Sequence, residues 1–494
     1  MLGLHFPFLE VTLLVPLLGC LFLLGKQKVE ANRKKSLWIA SATLVFATAT
    51  WFDFATLHVF EAHDDWSFVQ WLFGREILIV DELSAPLLPL TALVFLFTLT
   101  ATVGQKVSSF SYFGAILVEA LTLACLSTKD PVWVIGILTL LGVPVVAELA
   151  NRKQTARVFL IHHLAFSLLA FSGLILVESK LESLTSMGCL LLTLAICIRS
   201  GLFPFSVWVR DLLQRGSFGG AMLYLLPMLG PYAAIRLLLP VAPEWFFIAI
   251  EWWALASAIY AAGMALVQVD GRTFFGYLLL SHTSMILVGL DVATPIALTG
   301  ALSLWLSLGI ALTGYGIVLR CVEARVGKLR MDRYYGLYEH MPTLAWFYLL
   351  TGLASVGFPC TIGFLASELL IEGAVDASPL LGMSVVLTMA LQGVAIMNSY
   401  FRIFTGTKHI SSISLATLPE ERFSIIVLTL LIMGAGVLPQ VGVETRYRAA
   451  IDLRDSLGLP EKSIGESERG NSSHGDGLDK GSESAEPKAE SGDD

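Results

Sequence analysis

Charge is what this sequence has least of. Asp, Glu, Lys and Arg make up 15% of its 494 residues, against 55% for the apolar types, and the mean hydropathy is +0.73. A soluble domain cannot hide that much apolar surface, so the composition predicts a polytopic membrane protein with the lipid bilayer as its solvent. Cysteine is sparse and scattered: Cys20, Cys125, Cys189, Cys197, Cys321 and Cys360 form neither a CxxC nor a zinc spacing. They read as small core residues rather than metal or redox centres. No phosphate loop, nucleotide fingerprint or hydrolase constellation occurs, so no catalytic centre, cofactor, metal or nucleic-acid partner is expected on this chain. The first apolar run has no basic residue before it and reads as a retained span, not a cleaved signal.

What the sequence does have is a series of apolar runs. About 20 residues cross a bilayer, and fourteen candidate spans centre near Leu14, Leu44, Leu93, Leu117, Leu140, Leu168, Leu191, Leu229, Ala256, Met285, Leu308, Leu350, Met389 and Leu430. The loops at 26–35, 151–157 and 320–333 are basic, whereas 61–65, 178–182 and 372–376 are acidic. With fourteen spans the basic loops share one side, which the positive-inside rule places in the cytoplasm. Both termini then lie outside, and the expected location is the inner (cytoplasmic) membrane. Residues 1–440 form the expected membrane domain. Residues 441–494 form an acidic tail, and its part from Gly465 lacks the apolar residues needed to fold.

One apolar run carries a charge and then breaks. Arg199 ends the stretch Leu192–Ile198, and Pro204 interrupts the helix five residues on. A charge inside a membrane segment is a functional-site hypothesis by default, and a broken helix beside it is how transporters build ion sites. The alternative is an arginine that snorkels or sits in a structural ion pair. A second break, Gly357-Phe358-Pro359, is followed by Glu368. The breaks fall in the seventh and twelfth spans, the separation that two inverted five-helix repeats would produce.

Five ordered segments carry a family resemblance. Val80–Leu87 is similar to the motif LDGLS, and Phe203–Asp211 to PFHxWLPDA. Gln268–His282 is similar to QxDxKRxLAYSSISH, Gly336–Pro342 to GGLxxxMP, and Gly357–Phe364 to GLPxxxGF. From about Val80 to Pro439 the chain resembles the antiporter-like subunits of respiratory complex I, Mrp antiporters and membrane-bound hydrogenases. The resemblance implies an all-α fold of about fourteen helices with two inverted five-helix repeats, broken at spans 7 and 12. It also implies a proton path through buried Lys, His and Glu.

The chain departs from that pattern where it matters most. Thr139 stands at the family's fifth-span Glu and Arg199 at its seventh-span Lys. The eighth-span segment Leu225–Tyr232 has no titratable group but Tyr, the eleventh span has no Lys or His, and Ser367 takes the twelfth-span Lys or Glu position. Arginine does not readily release its proton, so it cannot relay as lysine does. The remaining pathway candidates are Arg199, Glu119, His282 and Glu368. By family topology Glu119 is the expected partner of Arg199. His162-His163 are a weaker relay pair, Glu148 reads as an interfacial ion pair with Arg152, Asp211 as a cap or salt bridge, and Asp270 and Arg272 as loop structure.

The expected function is a proton-translocating, or degenerate, antiporter-like membrane subunit of a complex I-related NADH:quinone oxidoreductase assembly, among other membrane subunits. Two alternatives stay open. One is a scaffold that docks a soluble cytoplasmic partner. The other is a subunit supplying proton flux to energised inorganic-carbon uptake.

Overall fold

The computed structural model describes residues 2–456 apart from 26–27, 65–67, 180–181, 293 and 408–415. Among the described residues twenty α-helices follow one another: α1 (Phe8–Leu23), α2 (Val29–Leu57), α3 (Phe68–Phe73), α4 (Leu87–Thr100), α5 (Tyr112–Leu126), α6 (Pro131–Leu140), α7 (Gly142–Asn151), α8 (Arg157–Glu178), α9 (Glu182–Ser200), α10 (Val207–Arg215), α11 (Phe218–Leu225), α12 (Leu229–Ala233), α13 (Glu244–Val267), α14 (Gly271–Asp291), α15 (Pro295–Val326), α16 (Pro342–Ser355), α17 (Ile362–Ala377), α18 (Pro379–Phe404), α19 (Pro419–Val437) and α20 (Pro439–Ser456). Among the described residues, eight helical segments are long and apolar enough to cross a membrane, or nine if the bent pair α19 and α20 is one span. Four shorter apolar helices lie at 8–23, 87–100, 112–126 and 184–200. Each of the fourteen apolar centres falls in a helix, yet length and composition qualify only the smaller number as spans.

The interior is built around α14 and α15. All of α14 except Arg272 is buried, as is most of α15. Their flanks are α13 and α17, and small residues let the backbones close. A Cβ on Gly300 of α15 would stand 2.5 Å from the Leu370 nitrogen of α17. Gly363 faces Ser307 and Gly373 faces Ala297, so α17 runs antiparallel to α15.

Polar groups gather at the two ends of the bundle. At one end Arg33 and Arg320 both donate to Thr102, to its carbonyl and hydroxyl respectively, and Arg152 donates to the Ser109 carbonyl. Lys106 and Arg325 share Glu421, each at 2.5 Å. The three basic loops are thus held together. At the other end a small sheet that sequence reading did not foresee orders β1 (Leu2–Leu4), β2 (Glu61–Asp64) and β3 (Val80–Asp81), with β1 parallel and β3 antiparallel to β2. Asp64 accepts the Leu9 and Glu10 amides that open α1, the usual service of a carboxylate to a helix N-terminus.

The expected tail boundary at 441 falls inside a helix. Arg446 of α20 is buried and donates to the Glu82 and Leu83 carbonyls. The part of the tail from residue 457, including all of 465–494, lies outside the described residues.

Candidate functional site: a buried arginine at the first helix break

Both expected breaks are present. The first separates α9 from α10, with Gly201 at φ 70°. Its loosened backbone is re-satisfied by side chains, as a break inside a membrane requires. The Trp208 indole donates to the Ile198 carbonyl at 2.8 Å, Trp253 donates to the Phe203 carbonyl at 2.7 Å, and Ser257 accepts the Phe203 amide at 3.2 Å. The second break separates α16 from α17, with Gly357 at φ 83° and Cys360 at φ 67°. Ser367 folds against it: a Cβ on Gly357 would lie 2.2 Å from the Ser367 hydroxyl.

Arg199 occupies the last turn of α9 and is 6% exposed. Its guanidinium carbon lies 4.8 Å from the centroid of the Tyr224 ring. Among the described residues its Nε and Nη2 have no hydrogen-bond partner, and it makes no ion pair. It lines a cavity with room for about one water molecule, alongside Phe159, His162, His163, Trp208 and Tyr224. The buried guanidinium therefore neither snorkels nor meets an acid.

The expected Arg199–Glu119 pair is not formed. Glu119 is fully buried on α5, and neither carboxylate oxygen has a hydrogen-bond partner among the described residues. It lies within electrostatic range of Cys20 on α1. The helix that bears it packs most extensively on α1, while Arg199 lies among residues of α8, α10 and α11. What stands by Arg199 instead is His163. Its Nε2–H donates to the Thr139 carbonyl at 2.9 Å, and its ring stacks on Phe159. The Thr139 hydroxyl is used locally, by Ile135 and Ser167. The family's acid position thus meets a histidine through its backbone.

His282 is 1% exposed on α14, and its Nε2 has no hydrogen-bond partner among the described residues. Its neighbour Ser281 donates to the Ala258 carbonyl and accepts from Gln392 of α18, each at 2.8 Å. Glu368 is exposed, on a stripe of α17 with Phe364, Glu372 and Val375. Successive helical residues are about 100° apart. The one-position offset from the inward Ser367 therefore turns Glu368 outward.

The Glu148 assignment changes as well. Glu148 does not pair with Arg152; it accepts the Ser217 amide at 2.9 Å, at the start of α11, where free N–H groups attract a carboxylate. Asp211 pairs with Arg215 at 2.5 Å. Asp270 caps α14 through the Thr273 amide, and Arg272 pairs with Glu323 at 2.6 Å.

Three polar groupings escaped the sequence reading. Asp81 is 2% exposed and holds Arg236 at 2.8 Å and Lys129 at 2.9 Å. Its Oδ1 accepts the Ser84 amide, while the Ser84 hydroxyl accepts the Asp81 amide. Burial alone would raise the Asp81 carboxyl, but Arg236 and Lys129 outweigh it and hold the group well below the usual range. Tyr315 and Tyr348 converge on Ser399 at 3.1 and 2.8 Å. Asp291 and Glu251 are both buried and within electrostatic range of one another. An acid in or beside an apolar run was the available signal for the last pair. Among the described residues no group of three or more His, Cys, Asp or Glu is arranged to hold a metal ion.

A bundle of spanning helices interrupted in each half beside buried polar groups is the architecture of an antiporter-like membrane protein. Residues 156–392 match the family model described as NADH:quinone oxidoreductase/Mrp antiporter, TM. NADH-quinone oxidoreductase subunit M of Rickettsia prowazekii is 24% identical over 483 residues, covering 88% of this chain and 96% of that one. Subunit 13 of the Thermus thermophilus NADH-quinone oxidoreductase is 31% identical over 252 residues, covering 49% and 52%. Among solved structures, a chain of respiratory complex I from Thermus thermophilus with bound NADH matches with a TM-score of 0.77 at 21% identity, over 91% of this chain and 100% of that one. A chain of the Mrp complex from Dietzia sp. matches at 0.78 and 16% identity, over 91% and 96%. The chain is thus similar to this antiporter-like family along most of its length, and residues 156–392 match the family's membrane domain.

Proposed function

We propose that the chain is a proton-translocating, antiporter-like membrane subunit of a complex I-related NADH:quinone oxidoreductase assembly, with its first-half relay rebuilt. The observation that carries this reading is the pairing of an unneutralised Arg199 with His163 at the first break. Arg199 stays charged and sets the local field, while histidine is the group suited to take and release protons. In the second half His282 and Asp291 are buried titratable groups of one helix, and Glu119 is a separate buried carboxyl. End-to-end similarity to quinone-reductase subunits supports this reading over the scaffold and carbon-uptake alternatives.

Glu368 fits a partner-facing role. It stands on α17 between the levels of Ser307 and Gly300 of α15, roughly 10 Å inside the Pro295 end of α15 at 1.5 Å per residue. A carboxylate facing lipid at that depth is costly, and a neighbouring membrane subunit would cover it. We place the complex in the cytoplasmic membrane, with the Arg33–Arg152–Arg320 end in the cytoplasm and both termini outside.

Reconstituting the complex in vesicles with a pH-sensitive dye tests the reading. Quinone-reductase-driven acidification is expected, with strong loss in His163→Gln, which keeps a donor but cannot titrate. Full flux in that variant removes His163 from the path. A complex that assembles without the chain and pumps normally overturns the function.

A further inference from the structure

We propose that the Arg199 cavity is a binding site for a small monovalent anion of halide type, which serves as the counterion that the chain itself does not supply. Three observations converge. First, the guanidinium is more than nine-tenths buried, and its Nε and Nη2 have no partner among the described residues. Second, these donors belong to a side chain that lines a partly open pocket with room for about one water, set among the rings of Phe159, Trp208 and Tyr224. Third, among the described residues no acid pairs with the charge. Thr139 replaces an acid and spends its hydroxyl on Ser167 and Ile135, Glu119 forms no hydrogen bond to the guanidinium, and Asp81 is held by Arg236 and Lys129.

A water would satisfy the free N–H groups but not the charge. Taking an ion out of water costs several kcal/mol unless a counter-charge joins it. A spherical anion scarcely larger than water meets both needs. The histidines set the polarity of the remaining wall. His163 Nε2–H is committed to the Thr139 carbonyl and His162 Nδ1–H to the Val158 carbonyl. Each ring's other nitrogen therefore becomes a donor only when the ring is protonated, so the anion and a proton on either ring favour each other. Arg199, His162, His163 and Tyr224 are the titratable groups lining the cavity, and Cys125 of α5 lies within electrostatic range of Arg199.

The test uses the full chain, purified in nanodiscs, with its thermal midpoint followed across chloride and bromide series. Gluconate replaces the halide at fixed ionic strength. Saturable stabilisation by chloride and bromide is expected. Arg199→Lys keeps the charge and should retain the effect with at least tenfold weaker apparent affinity. Arg199→Met fills the space with apolar atoms, a replacement that buried ions often tolerate in folding terms, and should abolish the halide response while the protein stays folded. Bromide soaked into the wild-type protein should give an anomalous density peak in contact with the guanidinium. Three results would overturn the assignment: an unsaturable salt effect, an equal response in Arg199→Met, or stabilisation by bicarbonate with none by halides.

Discussion

The Asp81 cluster permits a worked test of what holds one end of the bundle together. Asp81→Asn keeps the carbonyl-like Oδ1 that accepts the Ser84 amide, so the turn leading into α4 should survive. What disappears is the negative charge between Arg236 and Lys129. Lys129 retains Glu61 as a partner. Arg236 keeps Tyr232, whose ring centroid lies 5.0 Å from its guanidinium carbon, and its side chain is 9% exposed. Removing one partner of a buried pair costs about 3–5 kcal/mol, because the other charge is stranded. With Lys129 still paired, the lower end applies, about 3 kcal/mol, or roughly a hundredfold in the unfolding equilibrium at about 1.4 kcal/mol per decade. Equilibrium unfolding in mixed micelles, followed by tryptophan fluorescence, measures it. In an Arg236→Met background the same substitution should cost less than half as much, since no guanidinium is stranded. A cost below about 1 kcal/mol, or an equal cost in both backgrounds, would refute the reasoning. Because the folded carboxyl is held below its usual value, its contribution is present above about pH 4 and fades only in stronger acid.

Three further outcomes follow from particular contacts. Gly300→Val should destabilise by more than the usual 1–3 kcal/mol of overpacking, because the obstacle is the Leu370 backbone nitrogen at 2.5 Å from any Cβ; a midpoint shift in the same micelle assay reads it. Asp64 is pushed up to about 7 by burial, against the pull of the Leu9 and Glu10 amides. Its raised value gives stability present below about pH 4 and lost as pH climbs through 7, so the amides of Leu2–Leu4 should exchange faster at pH 8 than at pH 5 after correction for intrinsic rates. Single cysteines placed near Arg33 and Arg330 in a Cys-depleted chain should label from the cytoplasmic side and one in the acidic tail from outside; cytoplasmic labelling of the tail would contradict the orientation.

The class of fold was legible because apolar length is a direct readout of a bilayer, and the two breaks were legible because Pro and Gly interrupt a helix locally. The segregation of the Arg33, Arg152 and Arg320 regions at one end was legible for the same reason: loop charge is a property of sequence position. Pairings between distant helices were not. Whether Glu119 meets Arg199 depends on which face of α5 packs on α1, and whether Glu368 turns inward depends on a single helical step. His163 gained its place through a carbonyl of α6, a group that every residue type carries and no sequence pattern marks. Asp81 stood in a recognised motif, yet its partners lie 48 and 155 residues away along the chain, beyond what periodicity can report.

The central claim is that Arg199 supplies a fixed charge while His163 carries the proton in the first half. Vesicles containing the complex, with quinone reduction and internal pH recorded together, test it most directly. His163→Gln keeps an N–H for the Thr139 carbonyl but does not titrate, and it should lower the number of protons moved per quinone reduced while reduction itself continues. Arg199→Lys, which restores a titratable cation, should leave that ratio unchanged or higher. An unchanged ratio in His163→Gln, with the ratio lost in Arg199→Lys, would contradict the account.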